Sequence, residues 1–441
     1  MPVSRRTFLA RTATAALAFP AIVRGLDANA KLQVAVVGCS GQGFADLAEI
    51  GAHEKVQFTG FCDADTARFG EADKRFPGVA HFQDYREMFA QLGDKFDAVQ
   101  VSTPDHWHAR IALAAMRAGK HVYCQKPLAH TVWEARQMRL AAEKARVITQ
   151  MGNQIHSARE YRTAVQLLRA GVIGRIGAVH SWIGNKGNQF TGLKVRPAED
   201  ENIAPPATLN WDLWLGPAPV RPYVKDTYAP FKWRDWQDFG GGGLGDFGCH
   251  ILDPVFTALD LTAPLSIRVE NTGTNPETWA EAETVSYVFP GTTFTTDKTL
   301  PVTWYDGGRQ PDLALAQMPA GKTLPGGGSL FIGEGGTLVL PHVGLPALYP
   351  ADRFADFKIT ETPGANHYHA WVDAVLAGTK TTDGFHYAGP LAEAVQLGNI
   401  ATRRPGQTLA WDAAALKFSN APEADQLLTK DYRRGYEVTA E

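Results

Sequence analysis

Leu32-Gln33-Val34-Ala35-Val36-Val37-Gly38-Cys39-Ser40-Gly41-Gln42-Gly43 decides the reading of this chain. The first half is short and β-branched, as a parallel strand buried on both faces must be. The second half is glycine-rich and opens a helical pattern from Phe44 to Ile50. Glycines there permit a tight turn and let backbone N–H groups approach a pyrophosphate at the helix N-terminus. The spacing is G-x-x-G-x-G rather than G-x-G-x-x-G, so the context has to carry the assignment. Asp63 supplies it, closing a second strand-like run (Val56 to Cys62) twenty residues after Gly43. An acid at that place accepts hydrogen bonds from ribose hydroxyls and repels a 2′-phosphate, which favours NAD over NADP. Arg68, one turn further on, weakens that preference. The expected cofactor contacts are Gly38, Ser40, Gly41, Gln42, Gly43 and Asp63.

Outward from this motif the pattern repeats. Strand-like runs at Ala98 to Ser102, His121 to Tyr123 and Val147 to Met151 alternate with helical ones at Thr66 to Arg75, His108 to Arg117 and Val132 to Arg146. Such alternation predicts an α/β Rossmann domain, a parallel doubly wound sheet, over residues 31–151. After Met151 the texture changes. A helix from Arg159 to Arg169 leads into runs at Ala178 to Ile183, Ser266 to Glu270, Thr284 to Phe289, Val302 to Tyr305 and Thr337 to Leu340, separated by glycine and proline. We expect an α+β domain with an open, mostly antiparallel sheet over 152–441. Its last helices, near Tyr368 to Leu376 and Gly389 to Arg403, are free to pack back on the first domain. The long stretch from Pro205 to Gly245 is rich in Trp, Pro and Gly, and a long irregular stretch in a compact domain is usually functional.

At 441 residues, 44% hydrophobic and 20% charged, the chain suits two globular domains. A formal net charge of −3 offers no basic face for nucleic acid. Ser4-Arg5-Arg6-Thr7-Phe8-Leu9, an apolar stretch from Ala13 to Val23, and Ala28-Asn29-Ala30 together read as a twin-arginine export signal over residues 1–30. The expectation is an exported, periplasmic protein that meets the twin-arginine export machinery and keeps no membrane anchor in its mature form. Cys39, Cys62, Cys124 and Cys249 have no disulfide or zinc spacing, so they are expected to be buried small hydrophobes.

Two short strings carry chemistry. Cys124-Gln125-Lys126-Pro127 lies at the C-terminal end of a predicted parallel strand, the edge beyond which open α/β sheets bind their ligands. In Gly245-Asp246-Phe247-Gly248-Cys249-His250 the acid and the imidazole are four residues apart, so on a helix they share a face. A carboxylate beside an imidazole fixes its tautomer and makes His250 a competent general base. Pro254, shortly after, fits a helix only near its start or at a kink.

With STPDHWHA at Ser102 to Ala109, CQKPLAH at Cys124 to His130, TQMGNQ at Thr149 to Gln154, LNWDLWLGPAP at Leu209 to Pro219 and GGGLGDFGCHILD at Gly241 to Asp253, the chain resembles the glucose–fructose oxidoreductase / inositol dehydrogenase / rhizopine catabolism (Gfo/Idh/MocA) family. The motifs span nearly the whole mature chain in the family's order. The resemblance implies that Lys126, Asp246 and His250 form the catalytic group of a nicotinamide-dependent sugar oxidoreductase. His250 would take the hydroxyl proton of a secondary alcohol, Lys126 would stabilise the oxygen, and Asp246 would orient His250. It also implies a homo-oligomer built on the open sheet, and cofactor-side roles for Thr103, Pro104 and His106. Gln125, which departs from the family's usual glutamate, is counted with Lys126 and Asn153 among the cofactor contacts. Diffusible NAD is not maintained outside the cytoplasm, so export implies a cofactor held and regenerated in one site. Either two sugars are oxidised and reduced in turn, or a transient keto-sugar permits cleavage of a glycoside. A non-catalytic sugar-binding protein on the same fold is the third alternative.

For the substrate side the candidates are Gln154, Trp182, Arg234 and Trp236, since aromatic faces stack on sugars. Arg159 and Lys186 are weaker ones. His106 and His108, and further along His367 and His369, form no four-ligand pattern, so no metal is expected.

Overall fold

The computed structural model describes residues 31–184, 191, 192, 194, 195 and 203–441. Residues 1–30, read above as an export signal, and Lys186 lie outside the described residues. The first sheet comprises β1 (Leu32–Val37), β2 (Val56–Cys62), β3 (Ala80–Phe82), β4 (Ala98–Val101), β5 (His121–Gln125) and β6 (Thr149–Gly152). Between them run α1 (Gln42–Ile50), α2 (Gly70–Arg75), α3 (Tyr85–Leu92), α4 (Asp105–Arg117) and α5 (Val132–Ala145). The strands are parallel in the order β3-β2-β1-β4-β5-β6, a doubly wound sheet whose strand order reverses between β1 and β4. Leu32, Val34, Ala35 and Val36 are fully buried, as the β-branched run requires.

Several boundaries differ from the sequence reading. β3 has only three residues at the sheet edge, too few to give a hydrophobic pattern. The pattern at Thr66 to Arg75 is a 3₁₀ turn (Thr66–Phe69) that runs on directly into α2 at Gly70. α4 starts at Asp105, earlier than expected, directly after Pro104.

α6 (Arg159–Arg169) leads to β7 (Ile176–Ile183), α7 (Trp211–Leu215) and α8 (Gly242–Leu259). Then come β8 (Ser266–Asn271), β9 (Glu283–Pro290), β10 (Thr299–Tyr305), β11 (Gly327–Gly333), β12 (Gly336–Pro341) and β13 (Ala347–Tyr349). The chain ends through α9 (His367–Ala377), α10 (Phe385–Thr402), β14 (Thr408–Asp412) and β15 (Lys417–Phe418). These strands form one mostly antiparallel sheet, β13-β12-β11-β7-β10-β9-β8-β14-β15, with a single parallel pair at β7 and β10. β11 was hidden by its glycines (Gly327, Gly328), which carry no periodic signal. α8 runs on through Pro254 rather than starting there, so the His250 carbonyl lacks its helical N–H donor.

α8 and α10 cover the inner face of this sheet. Leu252, Val255 and Phe256 of α8 and Leu391, Val395 and Leu397 of α10 share one core with Val285, Tyr287 and Val302. α9 returns to the first domain, where Trp371, Val372 and Val375 pack with Leu32, Leu47 and Tyr123. All four cysteines are free and buried. No helix among the described residues is long and apolar enough to cross a membrane.

Candidate active site

A cleft of about 510 Å³ runs along the C-terminal edge of the parallel sheet. One end is the glycine turn. Gly38 has φ +91°, and a Cβ on it would lie 2.3 Å from the Ser102 carbonyl oxygen. A Cβ on Gly43 would lie 2.2 Å from the Gly38 carbonyl oxygen. Both positions exclude any side chain, and the turn they permit lines the cleft with Gly38, Ser40, Gly41, Gln42 and Gly43. Asp63 lines it too, accepting from the backbone N–H of Cys39 at 3.1 Å and of Asp65 at 3.0 Å. Burial raises its carboxyl to about 6, against the pull of those two N–H groups. Each oxygen keeps a lone pair for a ribose hydroxyl. The Arg68 guanidinium is spent on Asp65, 3.2 Å away, which removes the objection to NAD raised by the sequence. The cradle therefore fits a dinucleotide.

The cleft continues past Thr103, Pro104, Asp105, Gln125 and Lys126 to Arg234 and Asp246. Lys126 extends from the end of β5 and Asp246 from the first turns of α8. The Lys126 Nζ donates to Asp246 Oδ1 at 2.6 Å and to the Asp246 carbonyl at 2.7 Å. The Arg234 Nε lies 3.5 Å from the same Oδ1. Burial alone would raise the Asp246 carboxyl, but Lys126 and Arg234 outweigh it and hold it down to about 2.

His250 is not oriented by Asp246, contrary to the expectation from spacing. The shared helical face is real, but the full charge of an ammonium takes the carboxylate. Asn153, just past β6, holds the imidazole instead. Its Nδ2 donates to the Cys249 carbonyl at 3.2 Å, which turns its Oδ1 toward His250 Nδ1, 2.5 Å away. Oδ1 can only accept, so Nδ1 carries the proton and Nε2 keeps its lone pair. Burial, then the charge of Lys126, pushes the His250 imidazolium well below its ordinary range, so the ring is neutral at neutral pH. Asn153 is fully buried and both ends of its amide are taken, by the Cys249 carbonyl and by His250, so it positions His250 rather than touching the cofactor.

Other assignments shift in the same way. His106 is fully buried and faces the Trp214 carbonyl at 3.1 Å, pinning that segment instead of facing the cleft. Trp182 is fully buried, donates to the Pro325 carbonyl at 2.7 Å and packs on Leu330 and Val339. Trp236 donates to the Thr227 carbonyl and belongs to a small core with Leu215, Tyr228 and Phe239. That core explains the tryptophan-rich segment. Its members that line the cleft are Trp214 and Trp233, and the Arg234 guanidinium stacks over Trp233. Gln154 turns toward Asp46 and Tyr123, at 3.3 Å from each. Arg159 is half-exposed and pairs with Glu160 and Glu361.

The structure also accounts for Gln125. Its Nε2 donates to both oxygens of Asp46 on α1, at 3.0 and 2.8 Å. Gln42, Ser102 and Tyr368 donate to the same carboxylate. Burial raises Asp46 to about 6 against these donors. The anion expected on β5 is carried by α1 instead, and an amide at 125 is the only near-isostere of glutamate that can donate to it.

Sequence reasoning missed Asp46, Asp105 and His342. Asp105 accepts from the Gly241 N–H at 3.2 Å and ties α4 to the glycine run before α8. His342, following β12, places its ring 5.7 Å from that of His250 and meets the Tyr161 hydroxyl at 3.0 Å. None stands at a motif spacing, so only Asp105, inside STPDHWHA, was within reach of a sequence argument.

Comparison with known proteins follows the same division. Residues 32–153 match the model described as "Oxidoreductase family, NAD-binding Rossmann fold" of Gfo/Idh/MocA, and residues 185–297 match that family's "C-terminal alpha/beta domain". A glycosyl hydrolase family 109 protein of Solibacter usitatus is 32% identical over 158 residues, 34% of this chain and 36% of that protein. A levoglucosan dehydrogenase of Pseudarthrobacter phenanthrenivorans is 26% identical over 192 residues, 43% of this chain and 40% of its own length. The chain thus spans well under half the length of either curated relative. The WlbA dehydrogenase of Chromobacterium violaceum, solved with NADH and UDP-GlcNAcA, has the same fold, with a TM-score of 0.61 and 17% identity over 89% of this chain and 99% of that one. With both family models matched, over more than half of the chain together, this protein belongs to the Gfo/Idh/MocA family of NAD-binding oxidoreductases.

Proposed function

We propose that this protein oxidises a secondary alcohol of a sugar, an inositol or a sugar derivative, with His250 as general base and NAD held in the cleft. The observation that carries this reading is the set of polar groups beyond the glycine cradle. An ammonium clamped by Asp246 lines the end of the cleft, and one helical turn beyond Asp246 on α8 stands a neutral imidazole, His250, with its Nε2 free. When bound, the nicotinamide accepts and returns a hydride. The chain's own residues do the rest. His250 takes the hydroxyl proton through Nε2 while Asn153 keeps the proton on Nδ1. Lys126 hydrogen-bonds the same oxygen and stabilises the charge that develops on it. Asp246 fixes the Lys126 ammonium, with Arg234 behind it.

Redox-assisted cleavage of a glycoside is the second reading. The glycosyl hydrolase family 109 relative favours it, and it is compatible with the export signal proposed for residues 1–30, as is paired oxidation and reduction of two sugars, since either regenerates the cofactor in place. A homo-oligomeric, periplasmic enzyme is the setting that goes with both. The test is mass spectrometry of products from hexoses, inositols and simple glycosides, with and without added NAD. Products lacking two hydrogens, or matched oxidised and reduced pairs, support the oxidoreductase. Split glycosides without net oxidation support the second reading. No change in any substrate would leave a binding protein and overturn both.

A further inference from the structure

Three segments far apart in sequence meet behind Asn153 and His250. His156 lies in a 3₁₀ turn (Gln154–Ser157) just after Asn153. Asp253 is on α8, one turn beyond His250, and Asp383 is in the loop that enters α10. The His156 Nδ1 is 2.8 Å from Asp253 Oδ1, and its Nε2 is 3.0 Å from Thr382 Oγ1. One ligand atom from each of His156, Asp253 and Asp383 lies within 4.8 Å of the other two. The Tyr387 hydroxyl donates to Asp253 Oδ1 at 2.7 Å.

Asp383 makes the cluster unusual. It is 1% exposed, and neither carboxylate oxygen has a hydrogen-bond partner. A buried carboxylate without donors is costly, and such a group in a native fold points to a missing ion, water or proton. Asp253 is equally buried and faces the same space. Two carboxylates against one imidazole leave net negative charge even when the imidazole is protonated. The mechanism uses none of the three groups.

We propose that His156, Asp253 and Asp383 hold one divalent transition-metal ion, with Zn²⁺ the best match. One nitrogen and two carboxylate oxygens form a borderline donor set suited to a tetrahedral ion whose fourth position takes water. Ca²⁺ and Mg²⁺ prefer six or more oxygens, which these segments do not supply. The ion replaces the proton shared by His156 and Asp253 and neutralises Asp383. It fastens the turn after Asn153 to α8 and to the loop before α10. Its role is structural: it braces the Asn153–His250 contact from behind.

Tag-free full-length protein, grown with zinc and purified without chelator, is analysed by plasma mass spectrometry. About one zinc per chain is expected, falling to under about a tenth in Asp383→Asn, which keeps the shape but loses the charge. X-ray absorption at the zinc edge should show nitrogen and oxygen ligands, one imidazole among them, and no sulfur. Chelator should lower the melting temperature of the wild type and leave that of Asp383→Asn unchanged. Should Asp383→Asn fail to fold, His156→Gln and the wild-type absorption spectrum decide instead. Wild-type protein without bound metal and unmoved by added Zn²⁺ or Mn²⁺ would overturn the proposal, as would zinc retained at full occupancy in the variants.

Discussion

Replacing Gln125 by glutamate, the residue the family usually carries, should damage this protein, and in a pH-dependent way. The Gln125 amide contacts both oxygens of Asp46 at 3.0 and 2.8 Å, and both side chains are buried, 5% and 0% exposed. A second carboxylate there faces the first at about 3 Å, where two full charges repel by ~5 kcal/mol even at an effective dielectric constant of about 20. The pair escapes by keeping one proton, which an unfolded glutamate, with a pKa of about 4.3, has already lost at neutral pH. The native state then binds one more proton than the unfolded state, so stability present at low pH is lost as pH rises. Relative to wild type the variant should lose ~1.4 kcal/mol per pH unit, or about 2–3 kcal/mol between pH 6 and pH 8. Part of the wild-type Asp46 titration, near pH 6, offsets the low end of this range. Urea unfolding of both proteins at pH 6, 7 and 8 measures the difference. The double variant Asp46→Asn, Gln125→Glu moves the donor to the other side of the pair and should recover most of the loss. If the wild type and Gln125→Glu keep parallel pH profiles, the account of Asp46 as the displaced anion is wrong.

His250→Ala and Lys126→Ala should each lower turnover by at least ~10²-fold while leaving NAD binding, read by tryptophan fluorescence, near wild type. Asn153→Ala should act through His250: kcat falls ~10-fold or more and its pH profile moves, with KM little changed, whereas a purely structural role would leave the profile in place. Trp182→Phe should leave KM for any sugar unchanged, because that ring is sealed under Leu330 and Val339. Asp246 is held down to about 2, so its stabilisation is complete above about 4 and is lost as pH falls through about 2. Acid unfolding of Asp246→Asn should therefore lack that part of the low-pH transition.

Local sequence sufficed for the plan of two sheet domains and for the parts of the site that sit on repeating local patterns. A strand followed by close glycines admits few structures, since Gly38 and Gly43 tolerate no side chain, and an acid at the end of β2 falls beside them through the parallel pairing of β1 and β2. Lys126, Asp246 and His250 were legible for the same reason: each stands at a strand end or at helical spacing. Which partner each one meets was decided by tertiary structure. Spacing put Asp246 next to His250, but a side chain chooses among all neighbours in space, and Lys126 comes from a strand 120 residues away. Asn153, Asp46 and His342 reach the site from β6, α1 and the end of β12, with no spacing in common. Both tryptophans marked as substrate-facing, Trp182 and Trp236, fill cores, while Trp214 and Trp233, which were not singled out, line the cleft. Local sequence sets which conformations the backbone can take, whereas burial and charge pairing depend on distances that exist only once the chain has closed on itself.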